Sequence, residues 1–290
     1  MPARTAGNHS GLFFAHLMTI DFHSHDFPVF IAARAMAGMC KVTEGRLWSV
    51  GDGTLVNHLD QMELTGVDVS VSCPIATRPR QAEAILASAL AIKRGDLGAR
   101  AQRMIEPFVS VHPQDPEAGE WLEKAAAAGV KGVKFHPYYQ RFSLADPEVW
   151  PLFGRIADLG LIVECHCGAD VGFPEITGLC GPEETVTLLK HVRGLTFVAA
   201  HMGGCMGYPS HATDGLLECG AYIDTSVLHR DWHRDEPMRL LRSWPRDRIL
   251  FATDFPWVNP AEAIRWVRTF RAPEDLPFLL GENARRLLKC

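Results

Sequence analysis

A chain of 290 residues, 47% hydrophobic and 22% charged, has room for one large α/β domain or two smaller ones and the balance of a globular protein. Its net charge of −5 gives no basic footprint, which argues against nucleic acid as a partner. No apolar run approaches the roughly 20 residues needed to cross a bilayer, so no membrane partner is expected. The eight cysteines are scattered and several fall inside predicted strands, which reads as reduced thiols in a cytoplasmic enzyme rather than a disulfide framework. Thirteen histidines are many for this length and point toward metal chemistry.

Residues 1–17 hold a short apolar patch, Gly11-Leu12-Phe13-Phe14-Ala15, too short and poorly flanked for a signal peptide. They read as an N-terminal extension, with Met18 as an alternative start. Met18-Thr19-Ile20 then leads into Asp21-Phe22-His23-Ser24-His25. On a strand, side chains alternate faces, so His23 and His25 point the same way and form half of a metal site. Asp26 to Gly53 carries Pro28, several glycines and Arg34 and reads as a long irregular stretch, of the kind that tends to be functional. Residues 54–66 read as a helix stopped by Gly66, Val67 to Pro74 as an alternating strand, and Arg80 to Arg94 as a helix closed by Gly95.

The unit then repeats. Strands are predicted at Ile105 to Val111, ending His112-Pro113, at Val130 to Phe135, ending His136-Pro137, and at Leu161 to Cys165, ending His166-Cys167-Gly168. Further strands run from Leu195 to Ala200, ending His201-Met202-Gly203-Gly204, from Ala221 to Val227, and from Ile249 to Ala252, ending Thr253-Asp254-Phe255-Pro256. Between them lie helices at Pro116 to Ala128 with Gly129 after it, from an acidic Asp146-Pro147-Glu148 start to Gly160, and at Pro182 to Val192. A short helix precedes Ala221, and two more follow at Pro237 to Trp244 and Ala261 to Phe270. Eight strands, each followed by a helix, mean parallel pairing and a closed (β/α)8 TIM barrel over residues 18–290, in one domain. The alternative, an open doubly wound sheet, would show a glycine-rich phosphate turn after its first strand, and His-Ser-His stands there instead.

In such a barrel the C-terminal strand ends share one face, where active sites sit. Histidines end strands one (His23, His25), three (His112), four (His136), five (His166) and six (His201), and Asp254 ends strand eight. Imidazoles with a carboxylate suit one divalent ion, zinc first and manganese second, with a position left for water. Lys134 lies two residues before His136 and Glu164 two before His166, so on neighbouring strands they face inward together and form a buried ion pair. Arg34, Tyr138, Tyr139, Arg141 and Trp257 fall on predicted loops above the same face, where an arginine could clamp a substrate carboxylate. The cysteines flanking His166 alternate to the opposite face and pack against helices.

Four segments in this order, Asp21-Phe22-His23-Ser24-His25, Ala200-His201-Met202-Gly203-Gly204, Ala252-Thr253-Asp254-Phe255-Pro256 and Gly281-Glu282-Asn283-Ala284, resemble the amidohydrolase superfamily from Met18 onward. The amidohydrolase 2 group, which includes aminocarboxymuconate-semialdehyde decarboxylase, is the branch they resemble most. The resemblance implies a mononuclear site with His23, His25, His166 and Asp254 as metal ligands. It implies catalytic roles for His201, as acid/base beside the metal water, and for Asp254. His136, Arg34, Tyr138 and Arg141 are the expected substrate contacts. A rival within the superfamily carries a carboxylated Lys134 bridging two metals, with His201 then a ligand.

Three function classes follow. Metal-dependent hydrolysis of an ester, lactone or amide is the expected one. Non-oxidative decarboxylation of an aromatic or unsaturated acid is the alternative, and a non-catalytic barrel is third. The expected partner is a small molecule, and a homo-oligomer is left open.

Overall fold

The computed structural model describes residues 18–290. The extension read over residues 1–17, with its apolar patch, lies outside the described residues. Eight short strands run in order: β1 Ile20–Ser24, β2 Val69–Ser72, β3 Ile105–Pro107, β4 Gly132–Phe135, β5 Ile162–Cys165, β6 Thr196–Ala199, β7 Tyr222–Asp224 and β8 Ile249–Leu250. All pair in parallel, as β1-β2-β3 and as β4-β5-β6-β7-β8. Backbone bonds join the two groups at both seams. Val109 N donates to Gly132 O (3.1 Å) and Lys134 N to Val109 O (2.8 Å). Across the other seam, Phe22 N donates to Phe251 O (2.9 Å) and Asp254 N to His23 O (2.8 Å). The ring of eight is therefore closed, as the alternating pattern requires.

Two apolar layers hold it. The larger lies between strands and helices and takes in Cys165 and Cys167, which face outward as the alternation predicts. The smaller joins Ile20, Phe22, Val71, Phe108, Val198 and Leu250, with Phe22 edge-on to Phe108 at 5.9 Å, and includes Ala284 and Leu288 of the terminal helix Asn283–Leu288. β1 carries a bulge between Asp21 and Ser24, where three residues oppose two of β2. A bulge re-aims side chains next to a site. Here Phe22 packs into the interior and the next residue, His23, also turns its ring inward.

The helices stand close to the sequence expectation, at Leu55–Thr65, Ala82–Arg94, Ala118–Ala127, Pro182–His191, Asp235–Ser243 and Pro260–Phe270. Gly66 and Gly95 both end theirs with left-handed backbone (φ 76° and 81°). Three readings need correction. The stretch after His25 is not irregular: Val29–Val42 is a helix, carried by its run of alanine and methionine, with Pro28 preceding it and Gly38 tolerated on its exposed side. A short helix at Ala99–Met104 went unread. Asp146 does not cap the helix of Trp150–Asp158; its Oδ1 accepts from Glu148 N (3.0 Å) in a turn before it.

The Gly281-Glu282-Asn283-Ala284 segment is structural. Asn283 is fully buried and its Nδ2 donates to Arg246 O (2.7 Å) and Ile249 O (2.8 Å), fixing the entry to β8. A Cβ at Gly281 would lie 2.0 Å from Met18 O, at the entry to β1. Gly281→Ala should therefore cost about 1–3 kcal/mol through overpacking. Denaturant unfolding should show a lower midpoint with unchanged slope; an unchanged midpoint would refute this close packing.

Candidate functional site

Three side-chain atoms converge at the mouth of the barrel. His23 Nε2 and His25 Nε2 are 3.2 Å apart, and Asp254 Oδ1 lies 3.2 Å from His25 Nε2 and 3.6 Å from His23 Nε2. Hydrogen bonding sets which nitrogen is bare. His25 Nδ1 donates to the carbonyl of Cys73 (2.7 Å), which can only accept, and His23 Nδ1 donates to Asp224 Oδ2 (3.1 Å). Both Nε2 lone pairs then face each other and the carboxylate. A divalent ion at about 2.0–2.2 Å from each of three ligand atoms at tetrahedral angles needs them about 3.3–3.6 Å apart. The triangle fits such an ion. Burial, then the charge of Lys134, holds His23 well below the usual imidazole value, so it is neutral, as a ligand must be. Burial would raise Asp254, but the His23 and His25 rings that face it hold it below the usual carboxylate value. Asp254 is held in place with φ 58°, a left-handed backbone uncommon for a non-glycine residue.

Beneath this triangle lies a dry, charged floor. Lys134 Nζ is 2.7 Å from His23 Nε2 and 3.8 Å from Glu164 Oε1, both side chains fully buried. Burial alone would lower the lysine, yet Glu164, with Asp254 and Asp224, lifts it above its ordinary value. The Lys134–Glu164 pair expected from the strand register is present, with the amine turned toward His23. Asp224, at the end of β7, was not anticipated. Its Oδ2 meets His23 Nδ1, and its Oδ1 accepts from His201 N (2.8 Å), Ser226 N (3.1 Å) and Ser226 Oγ (2.6 Å). A carboxylate inside the apolar Ala221–Val227 run was the available signal.

His166 and His201 meet at the ends of β5 and β6, with His201 Nε2 2.9 Å from His166 Nδ1. His201 Nδ1 donates to Ser226 O (2.7 Å), so its Nε2 is bare. His166 is not part of the triangle around Asp254. Its Nε2 is buried without a hydrogen-bond partner among the described residues, 3.8 Å from Asp170 Oδ2. Burial, with the His136 and His201 rings packed against it, holds it well below the usual value, so it is neutral. Three groups of ligating side chains cluster among the described residues: His23, His25 and Asp254; His23, His201 and Asp224; His136, His166 and Asp170.

The turn after β6 explains Met202-Gly203-Gly204. His201, Met202 and Gly203 all take left-handed backbone (φ 57°, 55° and 68°). That costs about 1–2 kcal/mol for each non-glycine residue. Gly204 touches the turn after β5: a Cβ there would lie 2.3 Å from Gly168 N. Two glycines meeting backbone to backbone bring the His166 and His201 turns together.

The expected substrate residues divide. His136 is buried, stacked on His166 at 4.0 Å, with Nε2 3.3 Å from Asp170 Oδ2. Tyr138 is buried edge-on to His166 (5.7 Å) and stacked on Phe173. Arg34 lies on the exposed side of the Val29–Val42 helix, not on a loop, and Arg141 is exposed after the short helix Pro137–Gln140; the structure brings neither to the histidines. β3 ends at Pro107, so His112 does not end its strand as expected; it lies in the loop beyond, where its Nδ1 accepts from Gln114 N (3.2 Å). Trp257 lines a narrow cleft with Arg46, Leu47, Trp48, Leu228 and His229. Asp170 carried no sequence signal.

The model of the amidohydrolase family matches residues 83–290. Among curated proteins, none matches the chain. Solved structures of similar fold include an uncharacterised TIM-barrel protein from Bordetella bronchiseptica (20% identity, 94% of this chain and 99% of that one, TM-score 0.73). Another is a 5-carboxyvanillate decarboxylase from Novosphingobium aromaticivorans complexed with manganese (16%, 94% and 96%, 0.65). A third is a probable 2-pyrone-4,6-dicarboxylic acid hydrolase from Acinetobacter baumannii (14%, 94% and 99%, 0.64).

Gly204→Ala should separate the two turns. Overpacking of this kind costs about 1–3 kcal/mol, and with it a crystal structure of the variant should show His166 and His201 more than hydrogen-bond distance apart. An unmoved pair would mean that the glycine contact does not set their spacing.

Proposed function

The chain belongs to the amidohydrolase family, and we propose that it is a metal-dependent hydrolase acting on the carbonyl of a small ester, lactone or amide. The convergence of His23 Nε2, His25 Nε2 and Asp254 Oδ1 carries this reading. These three would hold one divalent ion, zinc in preference to manganese, since two imidazoles and a carboxylate suit a borderline metal. Such an ion polarises a carbonyl and lowers the pKa of a water to about 7.

The remaining work belongs to the side chains. His166 would complete the ligand set by exchanging its tautomer: with the proton on Nε2, facing Asp170, its Nδ1 is bare. His201 is the proton acceptor, since the Ser226 carbonyl keeps its proton on Nδ1 and leaves Nε2 free. Asp254, kept anionic, binds and can share that proton. His136 and Tyr138 form the wall on which substrate rests. A small-molecule substrate and a cytoplasmic setting belong to the same reading. Decarboxylation of an aromatic or unsaturated acid is the alternative on the same residues, and solved structures of similar fold include a 5-carboxyvanillate decarboxylase complexed with manganese.

Elemental analysis should find one ion per chain. No tightly held metal would end the reading, and a count near two would favour a Lys134-bridged pair. His201→Ala should keep the ion and lose about 10²–10⁴-fold in rate, whereas Asp254→Ala and His166→Ala should lose ion and rate together. Equal metal loss in all three would make His201 a ligand. On a panel of lactones, esters and aromatic or muconate-type acids, oxygen from labelled water should enter the product. Carbon dioxide release without it would make the enzyme a carboxy-lyase.

A further inference from the structure

We propose that Asp224 is the positioning residue that joins metal retention to proton transfer, fixing His23 with one carboxylate oxygen and His201 with the other. The inference rests on the reading of His23 as a ligand and His201 as the proton acceptor.

The two functions are separable on the carboxylate itself. Oδ2 receives the His23 Nδ1 proton at 3.1 Å. That contact keeps the proton off Nε2, the atom that faces His25 and Asp254. Without an acceptor at this place the neutral ring could carry its proton on Nε2, and the triangle would lose a corner. Oδ1 faces the other way. It accepts from the His201 amide at 2.8 Å, which secures the first residue of the left-handed turn. It also accepts from Ser226 N and Ser226 Oγ, and Ser226 in turn takes the His201 Nδ1 proton on its carbonyl at 2.7 Å, with its Oγ 3.0 Å from the same nitrogen. Asp224 thus reaches His201 twice, through the backbone amide and through Ser226.

The side chain is fully buried, so water does not compete for either oxygen. Two other oxygens lie near His23 Nδ1: Ser226 Oγ at 3.2 Å, itself held by donating to Asp224 Oδ1, and Glu164 Oε1 at 3.4 Å. Neither Glu164 oxygen reaches hydrogen-bond geometry with a partner among the described residues, whereas Asp224 uses both of its own. Asp224 is the orienting group, and Glu164 belongs to Lys134.

Asp224→Asn tests this, because the amide keeps the shape and one acceptor but cannot accept with both ends. With its oxygen on the His201 side, its NH2 faces the His23 Nδ1 proton donor to donor, so the ring must turn or shift its proton toward Nε2, where the Lys134 ammonium stands at 2.7 Å; either way the Nε2 lone pair loses its fixed place in the triangle. Metal affinity, measured by chelator competition without any substrate, should fall about 10–100-fold. The visible spectrum of the cobalt(II)-loaded protein should change with it. Ser226→Ala removes an Oγ that lies 3.0 Å from His201 Nδ1 and 3.2 Å from His23 Nδ1 but leaves the Asp224 Oδ2 contact to His23 in place, so its affinity and cobalt spectrum should stay close to wild type. Glu164→Gln should bind metal like wild type, which keeps the test decisive if the asparagine variant does not fold. Wild-type affinity in Asp224→Asn, or a tenfold loss in Glu164→Gln, would overturn the assignment. A wild-type protein that binds no metal would instead overturn the reading of His23 as a ligand, and this inference with it.

Discussion

An imidazole shut away from water must be told which nitrogen carries its proton. His23 is 1% exposed, and two buried neighbours decide the matter: Asp224 on the Nδ1 side, with Glu164 behind it beside the lysine, and Lys134 on the Nε2 side. A neutral ring between carboxylates and an ammonium has one low-energy arrangement, with the proton toward the carboxylates and the lone pair toward the cation. The same lone pair faces His25 and Asp254. The barrel therefore builds an electron-rich corner from its floor upward, before any loop contributes. Removing Asp224 would leave the His23 Nδ1 proton without its acceptor and a buried ammonium short of a counter-charge, a cost that holds the pair together.

That corner constrains the backbone above it. Asp254 and His201 both sit at strand exits, and both hold left-handed conformations that a non-glycine residue adopts only when its surroundings over-determine them. Each is tied back through its amide, Asp254 to His23 O and His201 to Asp224 Oδ1. Both tethers end on the polar floor or on His23, the residue it orients. Gly204 against Gly168 adds the one contact that no side chain could make.

Much of this was legible in the chain. The strand-then-helix alternation and the histidines at strand ends gave the barrel and the pair His23–His25, because periodicity and burial on both faces are local properties of sequence. Lys134 and Glu164 were legible too, since two residues of separation on neighbouring strands fixes a shared face. The bulge in β1 was not, because it appears only when β1 is laid against β2. His166 shows the limit of spacing arguments. Its strand-end position is correct, but which of its nitrogens faces His201 and which faces Asp170 depends on loops whose paths no period encodes. Asp224 hid for the opposite reason: an acidic residue within an apolar strand looks like an interruption until its four hydrogen bonds are seen. Arg34 and Arg141 were placed by reading loops as if they leaned inward. A helix over Val29–Val42 turns the first outward, and the second follows a single helical turn to the surface.

The division between floor and rim also says where selectivity resides. The converging histidines and Asp254 come from strand ends and the turns just past them, and on the proposed reading one such set would serve attack on a carbonyl or loss of a carboxylate alike. The two reactions part over what meets the rest of the substrate: a cation to orient a carboxylate, or an apolar wall that leaves the carbonyl turned to water. Such groups would stand on the connections between strands; of these, the one after β5 carries Asp170 and Phe173 against His136 and Tyr138. A barrel can exchange such connections without disturbing the network that fixes His23, since that network closes among β1, β4, β5 and β7. The barrel itself is shared with a decarboxylase and a probable hydrolase at 14–16% identity. The floor keeps its demands while the rim is free to change.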